Sequence, residues 1–171
     1  MTTPEDLAQE NARSGFDAAV ALWTSEGDII WSKFAGMMAA HAILIAAIGL
    51  AFSTESRDLR ILVVALAMLG VFLGVAWLLI TSRSFAFQKY WILSARELEQ
   101  KWLKPVSFIA RGEKLADGLQ VEFETTPTKT MSAPCLGRWK VQKLMYAAIV
   151  AFTFAYPALA VLAYFLIHPK V

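Results

Sequence analysis

Charge is scarce along most of this chain, and cysteine is nearly absent. Only 18% of the 171 residues are Asp, Glu, Lys or Arg, while 57% are apolar. Soluble domains carry nearer a quarter charged residues, so the balance argues against an ordinary soluble domain. The lone cysteine, Cys135, excludes an intrachain disulfide, a cysteine-rich zinc site and a CxxC redox pair. His41 and His168 are the only histidines and do not make a metal site. A phosphate-cradling glycine loop, a nucleophile elbow, an HExxH helix and a clustered acid pair are all missing. Glu97 and Glu99 stand two apart, so on a helix they do not face each other. No catalytic residue, metal or cofactor is therefore expected.

What the chain does have is three apolar runs, Phe34 to Phe52, Ile61 to Ile80 and Leu144 to Ile167. Ile61 to Ile80 contains no charged residue, and twenty residues rising about 1.5 Å each cover roughly 30 Å, the hydrocarbon thickness of a bilayer. The runs predict three transmembrane helices, each long enough to span with some tilt. With no proline before Pro105, the second run passes into a charged stretch where Phe87, Trp91, Ala95, Leu98 and Trp102 share one helical face. Lys89, Arg96, Glu97 and Lys101 take the other faces, and Pro105 should end the helix.

The first dozen residues read as a frayed start. From Phe16 a stripe of Phe16, Val20, Trp23, Gly27, Ile30 and Phe34 alternates steps of four and three, the seam of a helix packed along a partner. Gly27 on that seam indicates close approach of a neighbour in preference to a bend. Gly36, Ala40, Ala47 and Ala51 mark a small-residue face on the first span, and Ala147, Ala151 and Ala155 one on the third. Ser53 to Arg60 is a polar link of the length expected in an antiparallel helical hairpin. Gly70 and Gly74 form a GxxxG pair that packs either on the first span or on another protomer. Pro157 inside the third span predicts a kink unless a neighbouring group satisfies the freed carbonyl.

Between the second and third spans the pattern weakens. Val106 to Leu115 suggests a short helix, Leu119 to Thr125 a short strand, and Thr125 to Pro134 a linker. Arg138, Trp139, Lys140 and Lys143 suit the headgroup layer as an interface anchor, which outweighs a nucleic-acid reading. His41 is the one conventionally ionisable side chain besides tyrosine within the spans. An uncharged histidine bonded to a neighbouring helix is preferred for it over a pore or proton role. Trp23, Trp91 and Trp102 read as packing rather than a ligand box. Residues 81 to 143 hold eleven Lys or Arg against six acids, which assigns that segment and the N-terminus to the cytoplasm. The C-terminus then lies outside, as in a bacterial inner membrane protein.

Trp77, Leu79, Ile80 and Ser82 at the end of the second span, followed by Lys89, Ile92, Glu97, Leu98, Glu99 and Pro105, resemble the two-transmembrane SLATT effector family of bacterial defence systems. The architectural likeness covers about Phe16 to Leu115. The chain departs from that pattern at Arg83, where an aromatic is expected, in lacking asparagines in its first span, and in adding a third span. The resemblance implies oligomerisation and membrane permeabilisation.

The expected protein is thus all-α, a long helical hairpin extending into the cytoplasm plus a third transmembrane helix. Its segments are a cytoplasmic helix (1–33), a transmembrane hairpin (34–80), a cytoplasmic helix and linker (81–143) and a third span with a short tail (144–171). Gly27, Gly36, Ala40, Gly70, Gly74, Ala151 and Ala155 are its candidate helix contacts, with lipids, further copies of itself and a cytoplasmic protein as partners. Its expected role is self-association as a pore-forming or membrane-perturbing effector, with a membrane-anchored scaffold holding a cytoplasmic partner as the alternative.

Overall fold

The computed structural model describes residues 3–53, 56–103, 107–123, 128–132 and 140–167. Four helices, α1 (Pro4–Phe52), α2 (Arg57–Trp102), α3 (Phe108–Ala116) and α4 (Val141–Ile167), enclose between the last two a pair of short strands, β1 (Val121–Phe123) and β2 (Lys129–Met131). Helices α1, α2 and α4 each contain a stretch long and apolar enough to cross a membrane, with mean hydropathies of 2.0, 2.7 and 1.9. The fold is an all-α membrane architecture. The chain divides into two compact units, Met1–Asp28 with Ser84–Val141, and Ile29–Arg83 with Gln142–Val171. Both α1 and α2 contribute residues to each.

In the second unit, Leu44, Ile48 and Ala51 of α1, Val63 and Ala67 of α2, and Tyr156 and Ala163 of α4 form one core. Helix α4 runs antiparallel to α2, as three contacts show: Gly70 faces the Tyr156 ring, Gly74 faces Thr153, and the Tyr146 hydroxyl donates to Ser82 Oγ at 3.1 Å. A Cβ at Gly70 would collide with the Tyr156 ring, and one at Gly74 with the Thr153 hydroxyl. Within the protomer the partner of this GxxxG pair is therefore α4 and not the first span. Helix α4 continues through Pro157.

In the first unit, small residues decide how α1 meets α2. Ala12 and Ala19 are buried, and between them a Cβ at Gly15 would touch Leu98 Cδ1 at 3.3 Å. The closest approach follows this alanine and glycine line, and the stripe expected from spacing is met in part: Ile30 is buried and Gly27 faces Gln88, whereas Trp23 is exposed. Small residues permit backbone approach, while Phe16 and Val20 flank the contact half-buried. On α2, Ser84, Ala95 and Glu99 are buried, whereas Phe87 and Trp102 are exposed.

Three local expectations are corrected. The N-terminus is helical from Pro4, because Thr3 and Asp6 build a reciprocal cap: the Thr3 backbone N–H donates to Asp6 Oδ2 at 2.9 Å and the Asp6 N–H to Thr3 Oγ1 at 3.2 Å. Proline at the first helical position suits this start. The polar link is shorter than Ser53 to Arg60, since α2 begins at Arg57. Lys129–Met131, read as linker, pairs antiparallel with β1 in the register Val121↔Met131 and Phe123↔Lys129. Helix α3 closes on Gly118 at φ 81, with the Gly118 N–H donating to the Leu115 carbonyl and the Leu119 N–H to that of Lys114.

Replacing Gly70 by Ala should destabilise the protein by about 1–3 kcal/mol, because the added methyl overpacks against Tyr156. Thermal unfolding in detergent would measure it. Hydrogen bonds from the Thr3 side chain and backbone hold the Asp6 carboxyl below its ordinary 3.8. A depressed carboxylate stabilises the fold above its unfolded value and loses that contribution as pH falls through the folded one. Protection of the Asp6 and Leu7 amides, taken relative to their intrinsic exchange rates, should therefore hold above about pH 4 and fall only in stronger acid.

Candidate functional site

Among the described residues of the first unit, Glu99 is a fully buried acidic side chain, with 0% of its surface exposed. Its two oxygens accept the backbone N–H groups of Ile109 at 3.0 Å and Ala110 at 3.3 Å. These are orphan donors in the first turn of α3, and Ser107 at the cap makes no side-chain bond to them. A carboxylate there also meets the positive end of the helix dipole. Arg96 on the same face of α2 pairs with Glu113 of α3. Glu99 and Arg96 thus set where α3 lies in this unit.

That placement leaves a groove. Trp23 of α1, Ile92, Leu93 and Arg96 of α2, and Phe108, Ile109, Gly112, Glu113 and Ala116 of α3 line an apolar cavity of about 560 Å³. Phe108 is 73% exposed, α3 has no buried residue, and a Cβ on Gly112 would meet nothing within 4 Å. Lys89, Arg96, Glu97 and Lys101 lie on the neighbouring turns of α2. The groove thus presents apolar surface beside charged residues of α2.

The second unit holds the intramembrane histidine. His41 is fully buried, with Nδ1 and the Tyr156 hydroxyl 2.6 Å apart in a hydrogen bond between α1 and α4. Its ring stacks on Trp77 with centroids 5.2 Å apart and on Phe152 at 5.5 Å. His41 Nε2 and Trp77 Nε1 have no hydrogen-bond partner among the described residues. This cluster turns its polar atoms inward. Among the described residues of the three apolar runs, exposed positions such as Ile43, Leu50, Met68, Phe72, Leu79 and Phe154 carry apolar side chains or are glycine, apart from Tyr164 near the end of α4.

The other candidate positions scatter. Gly27 is half-buried, with Gln88 Nε2 at 3.3 Å from an added Cβ, and Gly36 is exposed with nothing near it. Ala40 and Ala155 are half-buried and Ala151 is exposed. Lys143 is exposed, and Lys140 reaches Asp117 at 3.3 Å. Arg138 and Trp139 lie outside the described residues, as do Pro105, Cys135 and His168. Sequence reasoning missed Glu99 and Tyr156. The residues between Glu99 and α3 carry no local pattern that would pair them, although a buried acid before a helix start is a recognisable capping chemistry.

Residues 15–166 match the octameric membrane protein family (8xMP). The chain belongs to the octameric membrane protein family. The match takes in both units, including the groove, Glu99 and the His41 cluster. It reaches a membrane protein family, though not the SLATT family that Trp77 to Pro105 resembles. Neither the curated proteins nor the solved structures yield a match. As an 8xMP member the protein is an integral membrane protein that self-associates.

Changing Glu99 to Ala leaves the Ile109 and Ala110 N–H groups without their acceptor, at a cost of about 1–3 kcal/mol. Hydrogen exchange at those two amides should rise while α2 stays protected, and Glu99→Gln, which keeps one acceptor oxygen, should fall between.

Proposed function

We propose that the protein is a non-enzymatic homo-octamer of the bacterial inner membrane that serves as a membrane-anchored scaffold, with the residues of the first unit on the cytoplasmic side. The observation that carries this reading is the apolar exterior of the spans. A water-filled pore built from several copies needs polar groups on a surface that the copies turn toward a common axis. Here His41 and Thr153 are spent inside the protomer, one on Tyr156 and the other on the Ile149 carbonyl. Eight such exteriors would meet lipid or each other, which suits anchoring better than conduction. This apolar exterior supports anchoring over the permeabilising role that the SLATT resemblance implies.

The family's name supports the octamer, and the exposed apolar groove among charged residues supports contacts in the aqueous part. The excess of eleven Lys or Arg over six acids in residues 81 to 143 supports both the cytoplasmic assignment and an acidic cytoplasmic protein as the partner held there. Membrane lipids are the remaining partner.

Mass measurement of the protein in native lipid should give a discrete octamer, and liposomes containing it should leak ions no faster than protein-free ones. A monomer would overturn the assembly, and flux that rises with protein content would overturn the scaffold in favour of a pore.

A further inference from the structure

Strands β1 and β2 make a small sheet with unlike faces. In the register Val121↔Met131 and Phe123↔Lys129, directly opposed residues share a face. Val121, Phe123, Met131 and Lys129 therefore lie on one side, and Glu122 and Thr130 on the other. Strand β1 lies against α3, and Val121 is buried. The rest of that apolar side stays open: Met131 is 52% exposed, and Phe123 is exposed beside Lys129. Leu119, at the approach to β1, is 57% exposed. The charge on this side is a cation, while the acid Glu122 points the other way.

What lies beside this surface follows from one ion pair. Lys140 Nζ meets Asp117 Oδ1 at 3.3 Å, which ties the end of α3, two residues before Leu119, to the residue that precedes α4. Leu144, where the third apolar run begins, is four residues further along, about 6 Å at helical rise. The interfacial layer of each leaflet is about 5–8 Å deep, so Lys140 stands within it and its ammonium reaches Asp117 from there. We propose that the Leu119, Phe123 and Met131 surface rests in the headgroup layer of the membrane, a lipid contact made by the first unit in addition to the spans. The three apolar side chains seat at the boundary with the acyl chains, and Lys129 snorkels to the phosphates of anionic lipids. Glu122 and Thr130 on the opposite side meet water. The contact depends on the third span entering the bilayer, and on neither the scaffold role nor the octamer.

The test uses the full chain carrying Cys135→Ser, in nanodiscs of phosphatidylcholine and phosphatidylglycerol. A fluorescent thiol label is placed in turn on Leu119→Cys, Met131→Cys and Glu122→Cys, all at exposed positions where it displaces no packed neighbour. Two quenchers are compared, a lipid carrying a nitroxide near its headgroup and acrylamide in the water. The nitroxide lipid should quench the Leu119 and Met131 labels several-fold more than the Glu122 label, and acrylamide should reverse that order. Amide protection of α3 is followed in each labelled chain, so that only chains that keep the fold are compared. Equal quenching of the Met131 and Glu122 labels by acrylamide overturns the proposal, because both sides of the sheet then face water. Leu119 and Met131 labels shielded from both quenchers overturn it too, because protein rather than lipid then covers the surface.

Discussion

The missing side chains at Gly70 and Gly74 let α4 lie against α2, and the interior of the second unit depends on that approach. Lipid tails are as apolar as leucine, so helices in a bilayer gain little from burying apolar surface against one another and must gain from close packing and hydrogen bonds instead. The two glycines supply the first. With α4 close, the Tyr156 ring fills the space above Gly70 while its hydroxyl reaches His41 on α1. One tyrosine therefore ties all three spans together. The bulk of its ring requires the glycine, and the polarity of its tip requires the histidine.

The first unit solves a different problem with other means. Its helices carry charges at intervals, so the apolar faces are narrow and alanines and glycines bring α1 and α2 together. What remains of the large apolar side chains, including Trp23, Leu93 and Phe108, is displaced to the margin of that seam. Close packing inside the protomer and unsatisfied apolar surface outside it are thus two results of the same choice of small seam residues. Exposed apolar surface of this kind is in keeping with a family described as octameric.

The three spanning helices were legible in the sequence because uncharged runs near 20 residues have few other uses. So was the short helix α3, whose amphipathic pattern survives in nine residues. The seam partners were less legible. Of the four-three stripe of Phe16, Val20, Trp23, Gly27, Ile30 and Phe34, Ile30 is buried and Gly27 is closely approached, but at its start size rather than apolarity decided the contact, and Ala12, Gly15 and Ala19 took it. The GxxxG pair announced a close contact without saying with which helix, since the motif encodes distance and not identity. The role of Glu99 was hidden for a deeper reason. Its spacing from Glu97 says only that the two acids do not face each other, and only the fold shows the backbone donors it faces. The pairing of Lys129–Met131 with β1 was hidden by the same cause, as three-residue strands leave too few alternations to see.

Helix α3 is shorter than the dozen or so residues at which an isolated helix becomes marginal in water, and it contains a glycine. Its nucleation cost is met from outside, by a carboxylate that α2 holds ready at the first turn. Its order is therefore borrowed. Protection of its amides reports the helical state of α2 at Glu99 more than the propensity of its own nine residues: α3 can open while α2 stays folded, but it loses its first-turn acceptor when the last turns of α2 fray.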